Sequence, residues 1–170
     1  MQNSPIIDFT LNYNKFKKPL FNYVLKIVKS EMFAEDIVHN VFLKYYNNLG
    51  KILNTDRTEI WIFTTARNEI FSHYRKYKNK IEENLEKYED DIHADNFLED
   101  YERQELIGLI EDELGKMDIS QSEVYYLKEY SDLSYKEIAE IMDITEDLVR
   151  SRIYKVRQKL KTLLTKLDKD

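Results

Sequence analysis

The sequence predicts an all-α protein in which a flexible acidic linker joins two small helical domains. Glycine occurs three times and proline twice in 170 residues, which leaves few places for tight turns. Apolar residues recur at helical spacing over most of the chain. Residues 9–79 carry 12 Lys and Arg against 6 Asp and Glu, whereas residues 81–118 carry 3 against 15. We therefore place the domains at residues 1–80 and 98–170, with the linker at 81–97.

The composition argues against membrane and disulfide-bonded classes. Hydrophobic residues make up 42% and charged residues 34% of the chain, as in a soluble globular protein. No apolar run approaches the roughly 18 residues of a membrane span, and residues 1–10 do not resemble a signal peptide. The lack of cysteine excludes disulfides and thiol chemistry. We expect a cytoplasmic protein without membrane insertion.

The residue pattern gives no support for catalysis. The sequence contains no glycine-rich phosphate loop, no cysteine nucleophile and no convincing carboxylate pair. The three histidines, at positions 39, 73 and 93, lack further metal ligands at suitable spacing. We predict no enzymatic activity, no cofactor and no bound metal.

Two amphipathic helices are predicted before residue 50. The first covers residues 8–29, and its apolar face carries Phe9, Tyr13, Phe16, Leu20, Val24 and Ile27. The second covers residues 33–49, and its apolar arc is too wide for one flank. That arc consists of Ala34, Ile37, Val38, Val41, Phe42 and Tyr45. Core packing accounts for most of it, and the alternative is that part of it is kept for a partner.

A third helix, predicted over residues 58–79 after a loop at 50–56, has two distinct faces. The buried stripe comprises Phe63, Ala66, Ile70, Tyr74 and Tyr77. The opposite face carries Trp61, Thr64, Thr65, Asn68, Ser72 and Arg75, with Arg67 nearby. An aromatic ring among amide, hydroxyl and cationic groups is typical of proteins that bind single-stranded DNA. The alternative is that Trp61 only anchors the preceding loop.

In the second domain we predict helices at residues 98–114 and 120–130, followed by two short helices joined by a tight turn at 133–160. Ser134 and Glu137 have the spacing of a capping box at the start of the first short helix. The turn then falls on Asp143 and Ile144, after which Thr145 can cap the second short helix.

The second of these short helices has one apolar and one polar side. Its apolar residues, spaced by four, three and four, are Val149, Ile153, Val156 and Leu160. The opposite side carries Asp147, Arg150, Ser151, Tyr154, Lys155, Gln158 and Lys161. A capped helix, a short turn and a basic second helix follow the helix-turn-helix order, so we predict that this side enters a DNA major groove. An ordinary solvated face is the alternative.

Three segments resemble the extracytoplasmic-function sigma factors, the small two-domain class of the bacterial sigma-70 family. Residues 34–46, AEDIVHNVFLKYY, resemble the polymerase-binding helix of sigma region 2. Residues 60–76, IWIFTTARNEIFSHYRK, resemble its promoter-melting helix, and residues 133–160 resemble the helix-turn-helix of region 4. The order and separation of the segments match as well. The resemblance implies a region 2 bundle of three to four helices followed by region 4, in a protein that binds core RNA polymerase and directs promoter-specific transcription initiation.

The resemblance also implies roles for individual residues. The helix that meets the clamp helices of the largest polymerase subunit would include Asp36, Val41 and Phe42. The separated strand of the minus ten element would lie along Trp61, Arg67, Asn68 and Arg75. The minus thirty-five element would be read by Arg150, Ser151, Tyr154 and Lys155. Further implied partners are the flap of the second-largest polymerase subunit and, as a candidate regulator, an anti-sigma factor or recruiting protein.

Four positions depart from residues common in the family, namely His39, Asn40, Ser72 and Asp143, and the Pro and Arg that usually precede Val124 are missing. Two other functional classes remain open. A stand-alone helix-turn-helix transcriptional regulator would explain residues 133–160 but would give Trp61 no role. A protein-binding helical adaptor would explain the apolar second helix but not the basic face. Binding to core polymerase separates the sigma factor from both.

Overall fold

The computed structural model describes residues 4–52, 57–83 and 101–167, and these form helices joined by short connections, as the sequence predicts. The chain divides into two compact units, Met1–Ile92 and His93–Asp170. The helices of the first unit are α1 (Pro5–Val28), α2 (Glu31–Asn47) and α3 (Thr58–Glu83). Those of the second are α4 (Tyr101–Gly115), α5 (Ile119–Ser131), α6 (Tyr135–Met142) and α7 (Glu146–Leu167).

The predicted linker at residues 81–97 overlaps the described chain only at its beginning. Residues 81–83 belong to the last turn of α3. The remainder of the segment lies outside the described residues.

In the first unit, each of the three helices packs against the other two. The predicted apolar face of α1 is buried from Phe16 onward, and the whole predicted arc of α2 lies in the core. Hence the arc serves mainly to pack α2 in the bundle. The exposed apolar residues of α2 lie instead on its outer side: Met32 is 63%, Leu43 51% and Tyr46 53% exposed.

The buried stripe of α3 differs from the predicted one by two residues. Phe63, Ala66 and Ile70 are buried as predicted, and Ile62, which was not predicted, is buried with them. Tyr74 is 37% exposed, and its hydroxyl reaches the end of α1 and donates a hydrogen bond to the carbonyl of Ile27 at 2.7 Å. The side chain of Tyr77, the last residue of the predicted stripe, lies outside the described residues.

Local side-chain caps place the helices of the second unit. The Asp118 carboxylate accepts from the backbone N–H of Ser120 at the start of α5. The capping box predicted for α6 is confirmed: Glu137 N–H donates to the Ser134 hydroxyl at 3.2 Å, and Ser134 N–H donates to the Glu137 carboxylate at 2.7 Å. A box of this kind satisfies backbone donors that the first helical turn leaves without partners.

The turn between α6 and α7 also follows the prediction. Asp143 ends α6 in the left-handed conformation, with φ 54° and ψ 50°. The hydroxyl of Thr145 accepts from the N–H of Leu148 at 3.2 Å and caps α7. The predicted α7 stripe is buried throughout. As a result, α7 packs against α4, α5 and α6 along one side and leaves the other side open.

The apolar residues of α4 are unequally buried. Leu114 is 1% exposed and lies in the core, whereas Ile107 is 47% exposed. The reason is geometric, because α4 packs on α5 and α7 mainly through its final turns.

Candidate nucleic-acid interfaces

The open side of α7 is a continuous polar surface. Its four central residues, all exposed, are Arg150, Ser151, Tyr154 and Lys155, and we call them the α7 face. The largest of them, Tyr154, is 64% exposed. Because the opposite stripe is buried, the α7 face is fixed in its outward orientation.

Arg150 contacts two neighbouring side chains, one on α7 and one on α6. Its Nη2 donates to Oε1 of Glu146 at 2.6 Å, a pair one helical turn apart. The centre of its guanidinium group is 5.4 Å from the ring centroid of Tyr135, at the start of α6. The Arg150 side chain is nevertheless 59% exposed. One contact to a carboxylate uses one of its five N–H donors, so the group keeps donors for a second ligand.

Two other cationic side chains of α7 contact α5 and do not belong to the α7 face. Arg152 Nη1 donates to the carbonyl of Ser120 at 3.5 Å, and Arg157 Nη2 lies 3.5 Å from the carboxylate of Glu129. Both contacts connect α7 to α5. The six bases between residues 145 and 161 are thus not all available to a partner.

In the first unit, an open groove of about 540 Å³ runs beside α3. We call it the α3 groove. It is lined by Asn48, Lys51, Ile52, Arg57, Ile60, Trp61, Thr64, Thr65 and Asn68. One concavity therefore combines an indole ring, amides, hydroxyls and cations, which are the groups that bind an unstacked base and its phosphate.

Trp61 forms one wall of the α3 groove and is half-buried. Its ring centroid is 6.0 Å from that of Tyr45 on α2, and the Tyr45 hydroxyl accepts from Asn12 Nδ2 at 2.8 Å. The ring is therefore supported from behind by α2, which favours a rigid platform over a loop anchor.

The structure brings together only part of the predicted α3 surface. Trp61 and Asn68 both line the groove, whereas the guanidinium of Arg67 lies 4.7 Å from the ring centroid of Phe71 and outside it. Arg67 is about 120° away from Trp61 around the helix, so the structure does not bring these two side chains together. Arg75 is exposed on the Asn68 side, roughly 10 Å further along α3.

Two cations of the α3 groove were missed by the sequence analysis. Lys51 lies near the start of the predicted loop and Arg57 directly follows it, and both line the groove. Their position at the two ends of one short loop, next to an aromatic helix, was the available signal. Loop residues have no periodicity to indicate where their side chains point, so only the structure identifies them.

The predicted polymerase-binding residues of α2 separate into two groups. Asp36 is exposed, whereas Val41 is 0% and Phe42 4% exposed in the core of the first unit. In this structure Val41 and Phe42 are therefore core residues rather than surface residues of α2. These two residues fix α2 in the bundle, and the side that can meet a partner carries Asp36 with the exposed Leu43.

A buried tyrosine, Tyr126, joins α5 to α4. The Tyr126 hydroxyl donates to Oε2 of Glu111 at 3.3 Å. Burial, together with the negative charge of Glu111, raises the pKa of Tyr126 well above its ordinary value. The phenol thus stays protonated at neutral pH and remains a donor.

Within residues 4–52, 57–83 and 101–167, no cluster of three His, Cys, Asp or Glu residues could hold a metal ion. Among the helices in this described part, none has the length and apolarity needed to cross a membrane.

Comparison with known families matches both units in order. The model of Sigma-70 region 2 matches residues 13–80, and the model of Sigma-70, region 4 matches residues 107–160. Together the two matches cover most of the chain and contain both candidate interfaces.

Individual relatives extend over nearly the same length. The chain is 26% identical to RNA polymerase sigma factor SigZ of Bacillus subtilis over 153 residues, which cover 89% of this chain and 84% of that protein. It is 27% identical to ECF RNA polymerase sigma factor SigM of the same organism over 158 residues, 89% of this chain and 91% of that protein.

A solved structure shows the same fold. The sigma factor RpoE from Bartonella quintana, in complex with the anti-sigma factor NepR, has a TM-score of 0.75 and 22% identity, over 93% of this chain and 97% of that one. Given the two region models in sequence and relatives that match across their lengths, the chain belongs to the sigma-70 family, as a two-region sigma factor of the extracytoplasmic-function type.

Proposed function

We propose that this protein binds core RNA polymerase and directs it to promoters, with each unit contacting a different promoter element. The observation that carries the proposal is the presence of two unlike DNA-facing surfaces, one in each matched region. The α3 groove suits a separated strand, and the α7 face suits a duplex major groove. The division into domains follows from it: residues 1–80 act at the minus ten element and residues 98–170 at the minus thirty-five element, with 81–97 between them.

At the minus ten element, Trp61 stacks on an unpaired base while Asn68 hydrogen-bonds to it. Lys51 and Arg57 neutralise phosphates of the same strand, and Arg75 continues this contact along α3. Arg67 is assigned no contact with this strand, because its guanidinium lies over Phe71. Support for this assignment is the shared groove that holds the aromatic, amide and cationic groups.

At the minus thirty-five element, the α7 face enters the major groove. Arg150 donates to a guanine, whose two acceptors match a guanidinium, and the other three residues bind bases or phosphates. The exposed orientation of all four side chains supports this assignment.

Polymerase binds to the outer side of α2 through the clamp helices of its largest subunit. Asp36 supplies a charge for basic partner residues, and the apolar area comes from Met32, Leu43 and Tyr46, which are exposed on the same side. Residues of the second unit contact the flap of the second-largest subunit. An anti-sigma factor or recruiting protein controls access to these surfaces.

Sigma factors are initiation factors rather than enzymes, and we extend this to the present chain: polymerase performs the chemistry, and the protein acts beside it in the cytoplasm. A stand-alone helix-turn-helix regulator is not favoured, because it leaves the matched region 2 and the α3 groove without a role.

Transcription from purified components tests the proposal. Core polymerase with this protein should initiate at a cognate promoter, and core polymerase alone should not. In a binding assay, Asp36→Lys should weaken the complex with core polymerase.

Glu35→Lys is the matched control, because this acid is also exposed on α2 but lines a groove toward α1. Equal polymerase affinity of the Asp36→Lys and wild-type proteins, with the fold intact, would contradict the α2 contact. A regulator that acts without core polymerase would instead bind promoter DNA equally well in its absence.

A further inference from the structure

Arg150 is held by residues that belong to neither group of proposed DNA contacts. Glu146 holds one edge of the guanidinium at 2.6 Å, and the Tyr135 ring lies 5.4 Å from its centre. These two residues are on different helices, α7 and α6 respectively. The guanidinium is thus positioned from both sides of the helix-turn-helix junction.

The Tyr135 ring is itself placed by its surroundings. It is half-buried at the first position of α6, directly after the Ser134 cap. Lys128 Nζ lies 5.8 Å from the same ring centroid and donates to the carbonyl of Leu133 at 2.9 Å. The ring is therefore a fixed feature of the junction, and its position is set by capping and packing rather than by DNA.

We propose that Tyr135 is a positioning residue for promoter recognition, which acts by holding the Arg150 guanidinium, together with Glu146, in the orientation that reads a base. The inference rests on the proposed role of Arg150. A free arginine side chain has many rotamers, and each hydrogen bond to a base must offset the entropy of ordering it. A guanidinium that is already ordered by a ring and a carboxylate loses less conformational entropy when it binds a base. Base discrimination then depends on a residue that does not touch the base.

The test compares base preference, measured by transcription with core polymerase from a library of minus thirty-five variants. Tyr135→Leu should lower the preference at the base pair read by Arg150 by about two- to fivefold, the range expected for loss of an exposed cation–π contact. Tyr135→Phe keeps the ring and should keep the preference. Thermal unfolding of each variant separates this effect from loss of fold.

A double-mutant cycle distinguishes positioning from an independent contact. If Tyr135 acts through Arg150, then Arg150→Ala and the Tyr135→Leu/Arg150→Ala double variant should have the same base preference. An additional loss in the double variant would overturn the proposal, as would an unchanged preference in Tyr135→Leu alone.

Failure of the underlying assignment has a different signature. If Arg150→Ala lowers transcription uniformly without changing base preference, Arg150 contacts only the backbone, and the proposal for Tyr135 falls with it. Glu129→Gln serves as a control, because Glu129 pairs with Arg157 and not with Arg150, and it should leave the preference at this base pair unchanged.

Discussion

The α3 groove and the α7 face bind DNA in the proposed function, yet they are built in opposite ways. The groove is a concavity whose central residue, Trp61, is half-buried and supported by α2. The α7 face is a ridge whose central residues are exposed, and one of them, Arg150, is ordered by side-chain contacts. The groove can surround a base that has left the duplex, whereas the ridge can only enter a duplex that remains intact.

The cores beneath the two surfaces also differ. Large aromatic rings fill much of the first unit, including Phe16, Tyr23, Phe42, Tyr45 and Phe63. Aliphatic side chains fill most of the second, including Leu114, Leu127, Leu133, Ile138 and Ile153. The half-buried indole of Trp61 thus packs next to the aromatic core of the first unit. In the second unit, the α7 face lies opposite a buried stripe of aliphatic side chains.

The largest effect is expected from Phe42→Ala, which removes a ring from the first core. Replacing a buried Phe by Ala costs about 3 to 5 kcal/mol of unfolding free energy. We expect unfolding of the first unit at lower temperature while the second unit is unaffected, as followed by amide hydrogen exchange in each unit. Leu43→Ala on the same helix is the control, because Leu43 is exposed and should leave the unfolding unchanged. Equal destabilisation of both units would contradict the view that the two units have separate cores.

Next in size is Trp61→Ala, which removes the platform of the α3 groove. Base stacking on an aromatic ring contributes about 1 to 3 kcal/mol, so strand separation at the minus ten element should fall while polymerase binding persists. Permanganate footprinting measures the separated strand. A promoter with a premelted bubble should partly restore transcription, and Trp61→Phe should retain more melting than Trp61→Ala. Undiminished melting by Trp61→Ala would contradict the assignment.

A smaller effect is expected from Lys161→Ala, further along the exposed side of α7. A lost phosphate contact weakens binding to all promoter sequences alike and lowers the salt slope by about one. The affinity of the polymerase complex for promoter DNA, measured across a salt series, checks this result. A promoter with a premelted bubble should not rescue Lys161→Ala. This result would distinguish a defect on the exposed side of α7 from a defect in the α3 groove. A changed base preference would instead make Lys161 a reader of sequence.

The smallest effect concerns the turn that joins α6 to α7. Asp143 has φ 54°, a conformation that glycine adopts without the cost paid by other residues. Asp143→Gly should therefore stabilise the second unit by about 0.5 kcal/mol, after the greater freedom of glycine in the unfolded chain is subtracted. Thermal unfolding measures the change. Asp143→Ala keeps the steric cost and should give no gain, and a similar gain from both would exclude this explanation.

Features governed by neighbours in the sequence were predicted well. The Ser134–Glu137 capping box, the Thr145 cap and the buried stripe of α7 all depend on spacing within one or two helical turns. Features that depend on contacts with another helix, or on the direction of a long side chain, were not predicted. Periodicity could not show that Tyr74 reaches the end of α1, or that Arg67 lies over Phe71.

The same limit applies to charge. A count of bases predicted a strongly positive α7, but the destination of each side chain is set by packing. Arg152 and Arg157 contact α5, whereas Lys51 and Arg57 add charge to the α3 groove from the ends of a loop. Composition thus located the basic segments, and only the fold separated the cations that hold the protein together from those that line a surface.

The placement of Trp61 has an optical consequence. It is the only tryptophan among 170 residues, so the intrinsic indole fluorescence of the protein comes from the wall of the α3 groove alone. Tyr45, whose ring centroid is 6.0 Å away, is close enough to pass its excitation to the indole. A base stacked on that ring would quench the emission directly, without any added label. The fluorescence of Trp61 therefore reports binding of the separated strand, and the time course of the quenching would follow the arrival of the unpaired base.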